Sequence, residues 1–257
     1  MIHKPIYTPK GCANEYCELA LNIYKGCNHG CTYCFARGMA KRFTPKGSVC
    51  NFDNPVPKKD IVESVKRQIE REQMTGKLIH LCFNCDPYPS EIDTTPTREI
   101  IKIIKQSGNH VQILTKGGRR AERDFDLLDK NDWFGVTFTG LFTAEDNKKF
   151  EPYSAGFYYR LDTIEKAHLK GIKTWVSLEP VMVPANVKLV LESNRNIDLF
   201  RIGKLNLDRN NSTPELEAIH DSINWHDFGH GCERLCLAHG RNYYIKEDLR
   251  KEMQHVI

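Results

Sequence analysis

Along the chain, short apolar runs alternate with stretches in which an apolar residue recurs every three or four positions. Residues 1–17 are polar, with Pro and Gly content that predicts an extended lead-in. Glu18 to Tyr24 alternates and predicts a first strand, after which residues from Arg37 to Pro57 show no regular pattern. From Lys58 to Gln73, Ile61, Val62, Val65 and Ile69 fall on one helical face with charges opposite. Leu78 to Cys82 is a short apolar run, hence a second strand. The following helix is marked by Thr95 as N-cap, Pro96 at the first helical position, Ile100, Ile101 and Ile104 as its apolar face, and Gly108 as its stop. The alternation continues with a strand at Val111–Leu114, a helix at Glu122–Lys130 and a strand at Gly135–Phe138. A helix around Tyr159–Leu169 ends at Gly171, followed by a strand at Thr174–Ser177, a helix near Asn186–Glu192 and a strand at Asp198–Ile202.

Six strands alternating with helices predict an α/β fold built on a parallel sheet with right-handed crossovers. Beyond it, Thr213-Pro214 opens a helix, His230–His239 is helix-like, Tyr243–Ile245 adds a strand and Glu247 starts a terminal helix. With no internal repeat and no low-complexity linker, residues 1–257 are expected to form a single domain. Its core would cover about 18–206, with a C-terminal extension over about 207–257.

Composition narrows the picture. A chain of 257 residues can bury a sizeable core, and 40% hydrophobic with 27% charged residues is ordinary for a globular protein. A net charge of +4 is too slight to argue for nucleic acid by itself. No apolar run approaches the roughly 18 residues of a membrane span, and the N-terminus lacks a signal-peptide core, so the expected location is cytoplasmic. In that setting ten cysteines point to reduced thiols in metal or redox work rather than a disulfide scaffold.

The stretch Lys25-Gly26-Cys27-Asn28-His29-Gly30-Cys31-Thr32-Tyr33-Cys34 concentrates three of those thiols at x3 and x2 spacing in a Gly-flanked loop. Three thiolates so placed can converge on a soft metal centre. Iron–sulfur cubes are usually held by four, so three would leave one iron open to another ligand. In parallel β/α folds the chemistry sits at the carboxyl ends of the strands. Here all six predicted ends carry polar groups: the cysteines, Asn84-Cys85-Asp86, Thr115-Lys116-Gly117-Gly118, Thr139-Gly140, Glu179-Pro180, and Lys204 with Asn206. They predict one shared pocket.

Cys27-x3-Cys31-x2-Cys34, followed by Phe35-Ala36-Arg37, resembles the cluster signature of the radical S-adenosylmethionine (SAM) enzymes. Asn84-Cys85-Asp86-Pro87-Tyr88-Pro89-Ser90-Glu91, Ile113-Leu114-Thr115-Lys116, Glu151-Pro152 with Arg160, and Gly171-Ile172-Lys173 are similar to the branch that contains spore photoproduct lyase and "DNA repair photolyase"-like proteins. The resemblance runs from about Leu21 to about Asn206. It implies a partial (β/α)6 barrel, a [4Fe-4S] cluster on Cys27, Cys31 and Cys34, and SAM chelating the open iron. It also implies an external electron donor of flavodoxin or ferredoxin type. Reductive cleavage of SAM would yield methionine and a 5′-deoxyadenosyl radical that abstracts hydrogen from a substrate. Lys116 matches the family lysine that pairs with the SAM carboxylate, with Gly117-Gly118 allowing a close backbone approach. Asp86 and Glu179 would serve the ribose hydroxyls or the amine, and Thr139 a hydroxyl or the carboxylate. Cys85 matches a hydrogen-atom donor, with Tyr33 and Tyr88 as radical relays.

The plainer readings are a solvated Lys116, a structural ion pair for Glu179 and an inert thiol at Cys85. Phe35 stands where the lyase branch has a tyrosine, so that branch's hydrogen-transfer chain does not carry over directly. The substrate is unidentified, with a nucleic-acid lesion or base, a peptide and a small metabolite as alternatives. From a different class comes a zinc-binding structural or nucleic-acid module using the N-terminal cysteines and His29. Against it, the loop supplies three ligands and six βα units follow. Cys232-x3-Cys236-x2-His239 has helical spacing that reads as apolar packing, with a second metal site as the alternative, supported by His226 and His230.

Overall fold

In the computed structural model the described residues are 4–207 and 212–254. The first three residues of the lead-in, residues 208–211 at the start of the expected extension, and the last three residues lie outside them. The lead-in forms β1 (Ile6–Tyr7), antiparallel to β2 (Leu19–Leu21), with a 3-10 turn at Gly11–Glu15 between them. The predicted first strand is shorter than its alternation suggests: Asn22 and Ile23 break it, and Tyr24–Lys25 forms β3, paired with β4 (Val56–Pro57). Between those two lies α1 (Phe35–Phe43), in a region expected to be irregular. Its periodicity is not readable because its large apolar residues face out, Phe43 being 76% exposed, while only Ala36 and Gly38 are buried.

The βα alternation follows: α2 (Ile61–Glu72), β5 (Leu78–Leu81), α3 (Thr95–Gln106), β6 (His110–Thr115), β7 (Trp133–Thr137), α4 (Ala144–Phe150), α5 (Phe157–Leu169), β8 (Lys173–Leu178), α6 (Pro184–Ser193) and β9 (Leu199–Ile202). Helix α3 starts one residue earlier than predicted, with Thr94 as its N-cap. Helix α4 is an addition, capped by the Thr143 side chain, which accepts from the Asp146 amide. In place of the predicted helix at Glu122–Lys130 there is a 3-10 stretch at Gly118–Leu127. Its buried positions Gly118, Ala121 and Asp124 recur every three residues, the 3-10 period. The tail adds α7 (Pro214–Ser222), α8 (Trp225–Ala238), β10 (Tyr243–Ile245) and α9 (Glu247–Gln254).

The main sheet runs in the order β1-β2-β5-β6-β7-β8-β9-β10, all parallel except β1. Its edge strands β1 and β10 do not pair with each other, so the sheet is open, and the lead-in spans the gap. The Arg201 guanidinium on β9 donates to the carbonyls of Glu15 and Tyr16, and Gln112 on β6 donates to the Tyr16 carbonyl. The Glu15 carboxylate accepts from the Tyr244 hydroxyl and the Glu247 amide. Tyr16 thereby enters the interior beside Trp175 and His80. Helices α2 and α3 bury Ile61, Val65, Ile69, Ile100, Ile101 and Ile104 against the sheet, each contributing about 1.5–3 kcal/mol. The carboxyl ends of the parallel strands all open toward the cysteine loop.

Candidate functional site

The cysteine loop leaves β3 and ends where Cys34 caps α1. Three neighbouring segments hold it. The Cys27 amide donates to the Phe52 carbonyl at 2.8 Å, and Asn28 exchanges two hydrogen bonds with the Ser90 backbone. The Thr32 amide donates to Phe150, and the Tyr153 amide to the His29 carbonyl. The two flanking glycines are required by contact as well as by conformation. A Cβ on Gly26 (φ +85°) would lie 2.2 Å from the Phe52 oxygen, and one on Gly30 (φ +74°) 2.7 Å from the Pro152 ring.

Cys27, Cys31 and Cys34 line a cavity of about 470 Å3. The same cavity is bounded by Asn84, Cys85 and Asp86 after β5, Lys116 after β6, Thr137 on β7, Ser177 and Glu179 at the end of β8, and Lys204 and Asn206 after β9. No disulfide links any of the ten cysteines. The three thiols are not gathered as tightly as a single zinc ion would hold them. Zinc bonds of ~2.3 Å to sulfur bring sulfurs to within roughly 4 Å of one another. Among the described residues, only His110, Asp129 and Asp132 gather three ligand atoms within 4.8 Å, and there Lys105 already bonds both carboxylates. The three cysteine sulfurs do not all lie within that distance of one another. Burial also pushes the Cys27 and Cys31 thiols up, Cys31 to about 12, so they become thiolates when a cationic centre takes the place of their protons.

Two polar networks back the loop. The Tyr33 hydroxyl donates to Glu151, which is paired with Arg160; the side chains of that pair are 1% and 3% exposed. Arg160 also donates to the carbonyls of Thr137 (2.8 Å) and Ala155 (2.6 Å) and to the Ser154 hydroxyl. Burial works against the Glu151 carboxylate, but Arg160, Lys116 and the Tyr33 hydroxyl outweigh it and hold the pKa below the ordinary value. In the second network Asp86 accepts from the Thr115 hydroxyl (2.6 Å), the Lys116 amide (2.8 Å) and the Tyr88 amide (2.8 Å). His29 faces Asp86 through Nδ1 at 3.4 Å and accepts from Arg120 at Nε2. Burial lowers His29 to about 4 against the opposing pull of Asp86, with Arg120 and Lys116 adding to the depression.

The structure thus brings Cys27, Cys31, Cys34, Tyr33, Cys85, Asp86, Lys116 and Glu179 around one cavity. Tyr88 and Thr139 do not line it. Tyr88 is fully buried with its hydroxyl on Asp124, and Thr139 is buried and spends its carbonyl on Met182 and Val183, leaving Thr137 to face the cavity. Gly117 and Gly118 are explained by protein neighbours: a Cβ there would meet Tyr88 at 2.8 Å and Ala155 at 2.6 Å. Glu179 stands in the structural ion pair anticipated as its alternative. Lys246 Nζ lies 2.6 Å from its carboxylate, and the Tyr16 hydroxyl donates to the same oxygen at 2.7 Å. Lys116 Nζ sits 5.6 Å over the Tyr33 ring.

The sequence reading missed Tyr16, Phe52 and Lys246, all of which line the cavity. Lys246 directly follows β10, so the strand-end rule applied to that short strand would have found it; Tyr16 and Phe52 carry no such signal. Cys232 and Cys236 are fully buried on α8 in the apolar core, whereas His239 is exposed and His230 bonds the Met253 carbonyl. No three of these groups bring ligand atoms within 4.8 Å of one another.

Against known proteins, residues 21–189 match the radical SAM superfamily. An uncharacterised protein of Methanocaldococcus jannaschii, MJ0683, is 30% identical over 181 residues, covering 70% of this chain and 65% of that protein. The uncharacterised ORF301 of Acidianus two-tailed virus is 25% identical over 200 residues, covering 74% and 64%. The matched part of this chain therefore spans less than two thirds of either relative. Among solved structures, spore photoproduct lyase complexed with dinucleoside spore photoproduct superposes with a TM-score of 0.66 at 13% identity, over 93% of this chain and 78% of that one. Streptococcus suis SuiB bound to S-adenosylmethionine superposes with a TM-score of 0.60 at 14% identity, over 93% and 53%. These likenesses concern the fold, a mostly parallel sheet interleaved with helices. The sequence match covers well over half of the chain, and on that ground the chain belongs to the radical SAM superfamily.

Proposed function

We propose that this protein is a radical SAM enzyme in which Cys27, Cys31 and Cys34 hold a [4Fe-4S] cluster at one end of the strand-end cavity and SAM lies beside it. The observation that carries the reading is the convergence of three thiols and five strand ends on one cavity in a chain of this superfamily. Bound together, the cluster and SAM supply a 5′-deoxyadenosyl radical for hydrogen abstraction.

The chain's own side chains bind, orient and shield. Lys116 is the cation placed for the SAM carboxylate, and Asp86 holds the Lys116 backbone in position rather than standing free as a ligand. Glu179, already paired with Lys246 and Tyr16, presents a neutralised acceptor to a hydroxyl or amine. Cys85 offers a thiol hydrogen on the cavity wall. Tyr33 is the relay candidate in place, while Tyr88 serves as packing. An external flavodoxin- or ferredoxin-type protein is the electron source, and among the described residues no helix is long and apolar enough to cross a membrane.

For substrate, the likeness to spore photoproduct lyase favours a nucleic-acid lesion or base. One surface feature supports it: Tyr153, which flanks the cysteine loop at Gly30, is exposed, as are Tyr158 and Tyr159, and Arg119 lies 5.1 Å from the Tyr159 ring centroid. Exposed aromatics interleaved with cations suit stacking on unpaired bases. Anaerobic reconstitution tests the enzyme reading. A brown protein that forms 5′-deoxyadenosine from SAM with dithionite supports it, and a colourless zinc protein refutes it. Comparing turnover on irradiated DNA with turnover on a metabolite extract tests the substrate.

A further inference from the structure

The four residues after β5, Cys82-Phe83-Asn84-Cys85, form a tight turn held from below by β2. The Cys82 amide donates to the Leu21 carbonyl at 2.8 Å, and the Phe83 and Asn84 amides both donate to the Asn22 side chain at 2.8 Å. Asn22 is itself fixed by a 2.7 Å hydrogen bond to the Tyr7 hydroxyl. Cys82 takes a left-handed backbone (φ +73°), which a non-glycine residue keeps only where its surroundings enforce it. The outcome is two thiols separated by two residues in one pinned turn, with unequal access to solvent. Cys82 is 5% exposed within the apolar core, and Cys85 is half-buried and lines the cavity. Two cysteines separated by two residues, one accessible and one shielded behind it, are the arrangement in which an oxidised thiol is captured by its neighbour.

We propose that Cys82 and Cys85 form a reversible redox pair in which the cavity-facing Cys85 thiol is the site of oxidation and the buried Cys82 thiol resolves it to an intramolecular disulfide. With hydrogen peroxide as oxidant, the Cys85 sulfur attacks one peroxide oxygen as its proton passes to the departing hydroxide. The O–O bond breaks, and Cys85 sulfenic acid and water form. The Cys82 sulfur then attacks the Cys85 sulfur. The S–S bond forms, the S–O bond breaks, and the Cys82 proton leaves with the hydroxide as a second water. In sum, two thiols and one peroxide give one disulfide and two waters. A small dithiol reverses the change by giving up two hydrogens. Burial raises the Cys82 thiol above its ordinary value, in keeping with its shielded place behind Cys85. The pair shields Cys85 from irreversible over-oxidation and withdraws its hydrogen from the cavity while oxidant is present.

The test does not depend on the cluster, on SAM or on turnover. Trypsin releases Leu78–Arg98, a peptide that contains Cys82 and Cys85 and no other cysteine. The protein is treated with graded peroxide, alkylated, digested and read by mass spectrometry. The expected product is this peptide unalkylated and lighter by two hydrogens, returning to the doubly alkylated form after dithiothreitol. In Cys82→Ser the same peroxide should instead carry Cys85 to the sulfinic acid. Three outcomes overturn the proposal: both thiols still alkylated, wild-type Cys85 reaching the sulfinic acid as readily as in Cys82→Ser, or Cys85 cross-linked to Cys27, Cys31 or Cys34. Because the wild-type protein alone can give the deciding result, a variant that fails to fold leaves the test intact.

Discussion

Arg160→Met should expose how much the cysteine loop depends on the pair behind it. The substitution keeps an unbranched apolar side chain but removes the partner of Glu151, whose carboxylate is left buried with the hydroxyls of Tyr33 and Ser154. Breaking a buried pair by deleting one member costs about 3–5 kcal/mol, because the other charge stays desolvated. That is two to nearly four powers of ten in the folding equilibrium, and a large share of the ~5–15 kcal/mol that holds a typical domain folded. Urea unfolding of the cluster-free protein measures the loss. Glu151→Gln/Arg160→Met should recover part of it, leaving a coupling of roughly 0.5–3 kcal/mol between the two sites. The pH dependence carries a sign as well. Glu151 has a lowered pKa in the folded state, so its contribution is present above its ordinary value and is lost as pH falls through the folded one. The variant should lose that acid-side decline. A loss below about 1 kcal/mol, the range of an exposed pair, would refute the argument, as would strict additivity in the double variant.

Other perturbations probe the remaining parts of the site. Gly30→Ala forces a Cβ against Pro152 at a positive φ and should lower the iron bound per chain after reconstitution, read by colorimetric iron assay. Because burial holds the Cys27 and Cys31 thiols protonated, cluster loading should strengthen as pH rises and release protons into a weakly buffered solution, which pH-indicator titration detects. Lys246→Met leaves the half-buried Glu179 with the Tyr16 hydroxyl and Asn206, and should destabilise the fold in the same urea assay by less than the ~3–5 kcal/mol of a fully buried pair. Glu179→Gln in that background should restore part of the loss. Cys85→Ala should alter the identity of the substrate-derived product, by mass spectrometry, more than the rate of 5′-deoxyadenosine formation.

Some of this molecule could be read directly from its residues. Helices α2, α3 and α5 bury apolar side chains at three- and four-residue spacing, so their periodicity survives in the chain. The strands were legible as apolar runs because a parallel sheet covered on both faces buries nearly every position, as in His110–Thr115 and Lys173–Leu178. Helix α1 was not legible, since the faces that would mark it are exposed. The 3-10 stretch after Gly117 is too polar to signal its period.

What the sequence by itself determined is the cysteine loop: cysteines separated by three and two residues are kept near one another by the chain itself, and the apolar runs settled which fold presents them. What only the tertiary structure decided is the state of each polar group at the strand ends. Glu179 meets Lys246 across 67 residues, and Tyr16 reaches Ser177 across 161. Tyr88 turns inward to Asp124, while Thr137 rather than Thr139 faces the cavity. Local spacing cannot encode such choices, because each depends on where a distant segment lands and on the desolvation that drives a buried charge to find a partner.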